Sequence, residues 1–224
     1  MYGLIHRAIR DCVIAEFGED SWSKISETAS LDESMFVSMQ AYPDEIALTM
    51  LGTASNELST DLSVLLKKFG RYWVLHTARK EYGPLFSFSG DNMRSFLSNL
   101  NAMHEHLAVS FANLRQPTFE VESIEDGVTH LHYESPRDGL TDFVVGLLDG
   151  LSEHFEEPMK CEVIEEKTND ELHKLSFRRI IPYNAFSNMF FGSNPYGING
   201  ATPADPLHQI NLGLFLTKAP CMSA

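Results

Sequence analysis

A histidine on a predicted helix is the first residue of this sequence that could do chemistry. His104 belongs to a helix predicted from about residue 93 to 111, where it shares an apolar stripe with Leu100 and Leu107. Its ring should therefore face the core. A neutral imidazole in a dry pocket can act as an axial ligand of heme iron through its free ring nitrogen. The alternative is a packed core histidine that a backbone carbonyl satisfies.

A short polar strand is the second feature. In the run 133–137, Tyr133, Ser135 and Arg137 alternate with other residues, so they share one face of a strand. They span about 13 Å at the usual rise of a strand. Two hydroxyls and one guanidinium suit two nearby carboxylates, although a solvated strand face is the alternative. Pro136 lacks an N–H, so the strand must lie at a sheet edge or end there.

Helices must position the histidine. Apolar residues recur at helical spacing from Ile5 to Val13, and Gly18 ends that helix. Asp44 is predicted to be the N-cap of a helix through Leu58. Two short helices, over about 61–70 and 71–79, precede a break at residues 82–84.

Strands must position the polar group. Residues 119–121, 128–133, 160–164 and 172–181 alternate as short strands, and residues 143–155 return to helix. A helical N-terminal subdomain followed by a small antiparallel sheet with an inserted helix is an α+β fold. We expect one domain over residues 1–181 and a weakly ordered tail over 182–224, which is rich in Gly, Asn and Pro.

Composition excludes several classes of function. The formal net charge of -14 argues against non-specific binding to nucleic acid or an anionic membrane. Three scattered cysteines and the lack of an apolar stretch of about 18 residues indicate a cytoplasmic protein without membrane spans. We find no nucleophile–base arrangement, phosphate loop or metal-ligand cluster, so we do not expect an enzyme.

Several segments resemble one known family, the heme nitric oxide/oxygen binding (H-NOX) domain. This is the regulatory domain shared by bacterial gas sensors and the β subunit of soluble guanylate cyclase. The resemblance covers about residues 1–181 and implies that heme b is buried between the helices and the sheet. It is carried by residues 1–5 (Met-Tyr-Gly-Leu-Ile), 69–74 (Phe-Gly-Arg-Tyr-Trp-Val), 99–104 (Asn-Leu-Asn-Ala-Met-His) with Ser110 and Phe111, and by Tyr133-x-Ser135-x-Arg137.

The resemblance assigns a role to each candidate residue. His104 matches the proximal iron ligand, and Pro117 and Ile5 match residues that pack against the porphyrin. Trp73 and Phe143 match positions on the distal side, where the gas binds. The residues that match those holding the heme propionates are Tyr133, Ser135 and Arg137.

Ligand choice depends on one distal position. Relatives that hold oxygen carry a tyrosine there, three residues before a glycine that corresponds to Gly146, and its hydroxyl donates to the bound oxygen. Here the position is Phe143, which has no donor, so the resemblance implies a nitric oxide sensor. The indole N–H of Trp73 keeps an oxygen sensor of the same fold as one alternative. A heme-free interaction module is another.

The resemblance also implies how a signal would leave the domain. Binding of nitric oxide weakens or breaks the bond between His104 and the iron, the porphyrin relaxes against Pro117 and Ile5, and the N-terminal helices shift. The expected partner is a separate signalling protein, either a histidine kinase or a cyclic-di-GMP enzyme.

Overall fold

The computed structural model describes residues 1–32, 36–111, 115–123, 128–168 and 173–180. The predicted tail over 182–224 lies outside these residues, so its extent stays a prediction. Within the described ranges, no helix combines the length and apolarity required to cross a membrane.

The described residues form an α+β fold, as the sequence predicts. The helices are α1 (Gly3–Phe17), α2 (Glu19–Thr28), α3 (Asp44–Glu57), α4 (Leu62–Tyr72), α5 (Arg79–Phe88), α6 (Met93–Ser110) and α7 (Thr141–His154), with a π-helical segment at Trp73–Ala78 between α4 and α5. The strands are β1 (Thr118–Ser123), β2 (Val128–Ser135), β3 (Lys160–Thr168) and β4 (His173–Ile180). They pair antiparallel in the order β1-β2-β4-β3, with α7 inserted between β2 and β3.

Helix boundaries follow the sequence signals in part. Gly18 ends α1 with a positive φ of 89°, a conformation that glycine adopts without strain. The prediction that Asp44 caps α3 is wrong, because Asp44 is the first helical residue and its side chain makes no capping hydrogen bond. The separate helix over 71–79 is also wrong, since α4, the π-helical segment and α5 follow one another without a gap.

The predicted break at residues 82–84 is present as a kink inside α5. Tyr82 has non-helical angles, φ −127° and ψ 23°, and Pro84 follows two residues later. Proline cannot donate a backbone hydrogen bond, and its ring clashes with the carbonyl four residues before it. The chain therefore bends at this point while the helix resumes beyond it.

Two hydrophobic clusters form the core. One cluster, the N-terminal cluster, is formed by residues of α1, α2, α3 and α4, among them Ile9, Trp22 and Met50. The other joins α6, α7 and the sheet and includes Phe96 and Leu131. Trp73 packs against both clusters, because the π-helical segment lies between them.

Glycines allow α4 and α7 to cross closely. A Cβ added at Gly70 would lie 2.2 Å from the carbonyl oxygen of Phe143, and one added at Gly146 would lie 2.1 Å from that of Lys67. Neither backbone can shift without moving a whole helix. Glycine at these positions therefore allows the backbones of α4 and α7 to come into direct contact.

We expect Gly146→Ala to destabilise the protein by about 1–3 kcal/mol, the usual cost of overpacking a filled core. The change in free energy of unfolding is measured by urea denaturation. Gly52→Ala in α3 is the matched control, because nothing lies within 4 Å of its added Cβ. Equal urea midpoints for the two variants would contradict the close helix crossing.

Candidate cofactor site

One cavity of about 610 Å³ gathers the residues that the sequence singled out. Its volume lies within the range of about 300–1,000 Å³ usual for small-molecule and cofactor sites. All eight predicted site residues line it, although they come from α1, the π-helical segment, α6, α7, β2 and the loops beside β1 and β2. They are Ile5, Trp73, His104, Pro117, Tyr133, Ser135, Arg137 and Phe143.

His104 faces this cavity from α6. Burial lowers the pKa of its imidazole, which keeps the ring neutral, and the nearby Pro117 backbone opposes that effect in part. Even so, the Nδ1 atom is buried and has no hydrogen-bond partner of normal geometry in the described chain. The Phe119 ring packs beside the imidazole, with the ring centroids 6.1 Å apart.

An amide clasp fixes the position of α6 against β1. The Asn101 side chain donates to the carbonyl of Phe119 at 2.7 Å and accepts from its N–H at 2.9 Å. His104 lies one turn after Asn101, and Pro117 lies just before β1. The clasp therefore fixes the ring and the proline relative to each other, a role that the sequence analysis missed.

The end of β2 supplies the polar group of the cavity. Tyr133 and Ser135 are 3% and 1% exposed, so both side chains face inward. Burial raises the pKa of Tyr133, while a hydrogen bond with Ser135 and the charge of Arg137 act against that rise. Ser135 Oγ also accepts from the backbone N–H of Arg137 at 3.0 Å. Since β2 is a central strand that ends at Ser135, Pro136 marks the strand end and not a sheet edge.

Arg137 joins the strand to the helices. Its Nε donates to Asp44 Oδ2 at 2.7 Å, and its Nη1 donates to the carbonyl of Arg115 at 2.5 Å. Asp44 also accepts from the amino group of Met1. Burial acts to raise the pKa of Asp44, but the hydrogen bonds from Met1 and Arg137 outweigh it and hold the pKa below its usual value.

Aromatic and apolar side chains form another part of the cavity lining. Phe143 packs against Phe69 with ring centroids 5.1 Å apart, and Trp73 meets the same ring edge-on at 6.4 Å. Ile5 approaches from α1 and is partly buried against the N-terminal cluster. Val74 and Ala78 also line the cavity.

The donor set fits a heme. A neutral imidazole lines the same cavity as apolar and aromatic side chains, and a buried neutral imidazole is a ligand that heme iron accepts. One guanidinium and several hydroxyls lie at the β2 end, where they can bind carboxylates. Gln116 also lines the cavity, and its buried Oε1 has no partner among the described residues. These features are unlike a closed hydrophobic core.

The sequence matches the family described as Haem-NO-binding over residues 2–163. It is 26% identical over 189 residues to soluble guanylate cyclase gcy-32 of Caenorhabditis elegans, covering 83% of this chain and 28% of that protein. It is 34% identical over 94 residues to the soluble guanylate cyclase subunit beta-2 of Rattus norvegicus, covering 42% and 14%. The chain spans about a quarter of the length of the curated relatives it matches.

A solved structure shares the fold. It is an oxygen-binding H-NOX domain related to soluble guanylate cyclases, in its oxygen complex. The TM-score is 0.70 at 18% sequence identity, and the match covers 80% of this chain and 94% of that one. At this identity the likeness concerns the fold alone.

Proposed function

We propose, from the premise that this chain belongs to the Haem-NO-binding (H-NOX) family, that it holds heme b through His104 and senses nitric oxide. The observation that carries the proposal is the single cavity on which all eight candidate residues converge. Heme, when bound, would supply an iron that binds a diatomic gas. The remaining tasks belong to side chains of this chain.

His104 is the iron ligand in this proposal. A ligand imidazole must be deprotonated at the binding nitrogen, and burial of His104 favours that neutral form. Because Nδ1 is buried in the wall, Nε2 is the nitrogen available to the metal. Phe119 and the Asn101 clasp keep the ring in place.

Arg137, Ser135 and Tyr133 hold the two propionates. A guanidinium binds a carboxylate through two parallel hydrogen bonds, whereas each hydroxyl donates one. The pairing of Arg137 with Asp44 fixes the guanidinium at the end of β2. The same pair connects this end of the cavity to α3. A movement of the propionates would therefore be transmitted through Arg137 and Asp44 to the N-terminal helices.

Selectivity for nitric oxide rests on Phe143. Bound oxygen is partly negative and is stabilised by a hydrogen-bond donor, while nitric oxide binds ferrous heme strongly without one. Phe143 lines the cavity, packs against Phe69 and has no donor group, and the family resemblance assigns it to the side where the gas binds. Oxygen should therefore bind more weakly than it does in relatives with a tyrosine at this position.

We expect Phe143→Tyr to raise oxygen affinity about 10- to 100-fold, because a hydrogen bond to a charged acceptor contributes about 1.5–3 kcal/mol. Nitric oxide binding should change little. The measurement is an oxygen titration of the ferrous protein, compared with wild type. A wild-type protein that already forms a long-lived oxygen complex would contradict the role of Phe143.

The signal passes to a separate partner protein in this proposal. We infer a histidine kinase or a cyclic-di-GMP enzyme, the partner classes that the family resemblance suggests. Ile5 on α1 and Asp44 on α3 both line the cavity, so a shift there reaches two N-terminal helices. Activity assays of each partner class with and without nitric oxide would decide between them.

A further inference from the structure

Gln116 carries a buried amide oxygen that the protein leaves without a partner. In the described part of the chain, three side-chain atoms are buried without a hydrogen-bond partner, and Gln116 Oε1 is one of them. Another belongs to His104, which lines the same cavity as Gln116. Most buried polar atoms in proteins have a partner, and one without a partner needs an explanation. The partner that these residues lack is therefore expected to be a molecule bound in the cavity.

The Gln116 side chain begins at the polar end of the cavity. The peptide bond that joins Arg115 to Gln116 supplies the carbonyl that accepts from Arg137 Nη1 at 2.5 Å. Gln116 lines the cavity together with its two neighbours in the chain, Arg115 and Pro117. The residue therefore lies between the contact with the Arg137 guanidinium and the start of β1 at Thr118.

The donors already identified at this end of the cavity are partly occupied. Arg137 uses Nε on Asp44 and one Nη1 proton on the Arg115 carbonyl. The remaining protons, on Nη1 and Nη2, suffice for one carboxylate held through two parallel hydrogen bonds. Ser135 Oγ accepts from the Arg137 N–H, and Tyr133 forms a hydrogen bond with Ser135. Few of these donors are left for the second propionate of a heme.

A carboxamide suits that second carboxylate. Its NH2 group carries two donors, and because it does not titrate, its burial costs less than the burial of another charged group. The oxygen and nitrogen ends of an amide exchange by a half turn about the last side-chain bond. That turn brings the NH2 group of Gln116 to the buried position of Oε1, where the protein offers no competing partner among the described residues.

We propose that the Gln116 carboxamide donates a hydrogen bond to a heme propionate, so that Gln116 is a further cofactor-binding residue of this site. The inference rests on the proposed heme function and deepens it. Arg137 then binds one propionate, while Gln116 and the hydroxyls at the end of β2 share the other.

The test compares heme dissociation from Gln116→Ala, Gln116→Glu and wild type, measured by transfer of heme to an excess of apo-myoglobin. We expect Gln116→Ala to speed dissociation about 10-fold. Gln116→Glu should speed it more, because an ionised glutamate keeps the shape of glutamine but has no donor and repels a propionate. Gln40→Ala is the matched control and should change nothing, since Gln40 is exposed and does not line the cavity.

An iron porphyrin with ethyl groups in place of both propionates separates a propionate contact from packing. Without a carboxylate to accept the hydrogen bond, Gln116→Ala should lose this porphyrin no faster than wild type does. Urea unfolding of the heme-free proteins should give about the same midpoint for Gln116→Ala and wild type, because the deleted oxygen has no protein partner among the described residues.

Two results would overturn the role of Gln116 while the heme function stands. One is heme dissociation that is unchanged in both Gln116 variants. The other is Gln116→Ala losing heme and the ethyl-substituted porphyrin with the same acceleration, which would assign Gln116 to packing alone. If wild type holds no heme, both proposals fall.

Discussion

Replacing His104 with glycine should abolish most heme retention, and added imidazole should restore it. The substitution removes the one imidazole on the cavity wall formed by α6 and leaves a space of matching shape. Free imidazole can enter that space and bind the metal in its place. Heme content of the purified variant, measured with and without imidazole, checks this prediction.

A matched control is available on the same helix. His106 is exposed, and its ring contacts the carbonyl of Ala102 within α6 at 2.8 Å. His106→Gly therefore carries the same helix penalty, about 1 kcal/mol relative to a good helix former, without touching the cavity. Full heme occupancy with unchanged ferrous and ferric spectra in His104→Gly would rule out His104 as the ligand.

Arg137→Ala should speed heme dissociation by about 10- to 100-fold, since it removes a charge-assisted contact of about 1.5–3 kcal/mol. Ser135→Ala should have a smaller effect, because it removes one neutral hydroxyl that already accepts from the Arg137 backbone. Transfer of heme to an excess of apo-myoglobin measures the dissociation rates.

The Asp44 pairing supplies the control for this comparison. Asp44→Asn keeps the shape of the side chain but weakens its hold on the guanidinium. If Arg137 acts directly on the propionates, Asp44→Asn should change heme dissociation less than Arg137→Ala does. A larger effect from Ser135→Ala than from Arg137→Ala would mean that the end of β2 does not face the propionates.

Local patterns predicted the parts of the fold that depend on local physics. The apolar stripe of α6 placed His104 on the cavity side, and Pro136 marked the end of β2. Helix α2 went unpredicted, because Trp22 and Ile25 are its only buried residues and the rest of its sequence is polar. Two apolar positions are too few to define a helical period.

Long-range contacts account for the structural features that could not be predicted from the sequence. An acidic residue at a helix start is typical of a cap, and nothing near Asp44 indicates a partner 93 residues later. The π-helical segment depends on its packing between two clusters and has no local signature.

Heme titration of the purified protein, followed by absorption spectroscopy, tests the central claim most directly. The ferrous protein is recorded without air before and after nitric oxide is added, and circular dichroism verifies that the chain is folded. The proposal predicts a Soret band that saturates at one heme per chain and shifts when nitric oxide binds. The proposal would be contradicted by a folded protein that gives no saturable Soret band, or by one whose Soret band does not shift when nitric oxide is added.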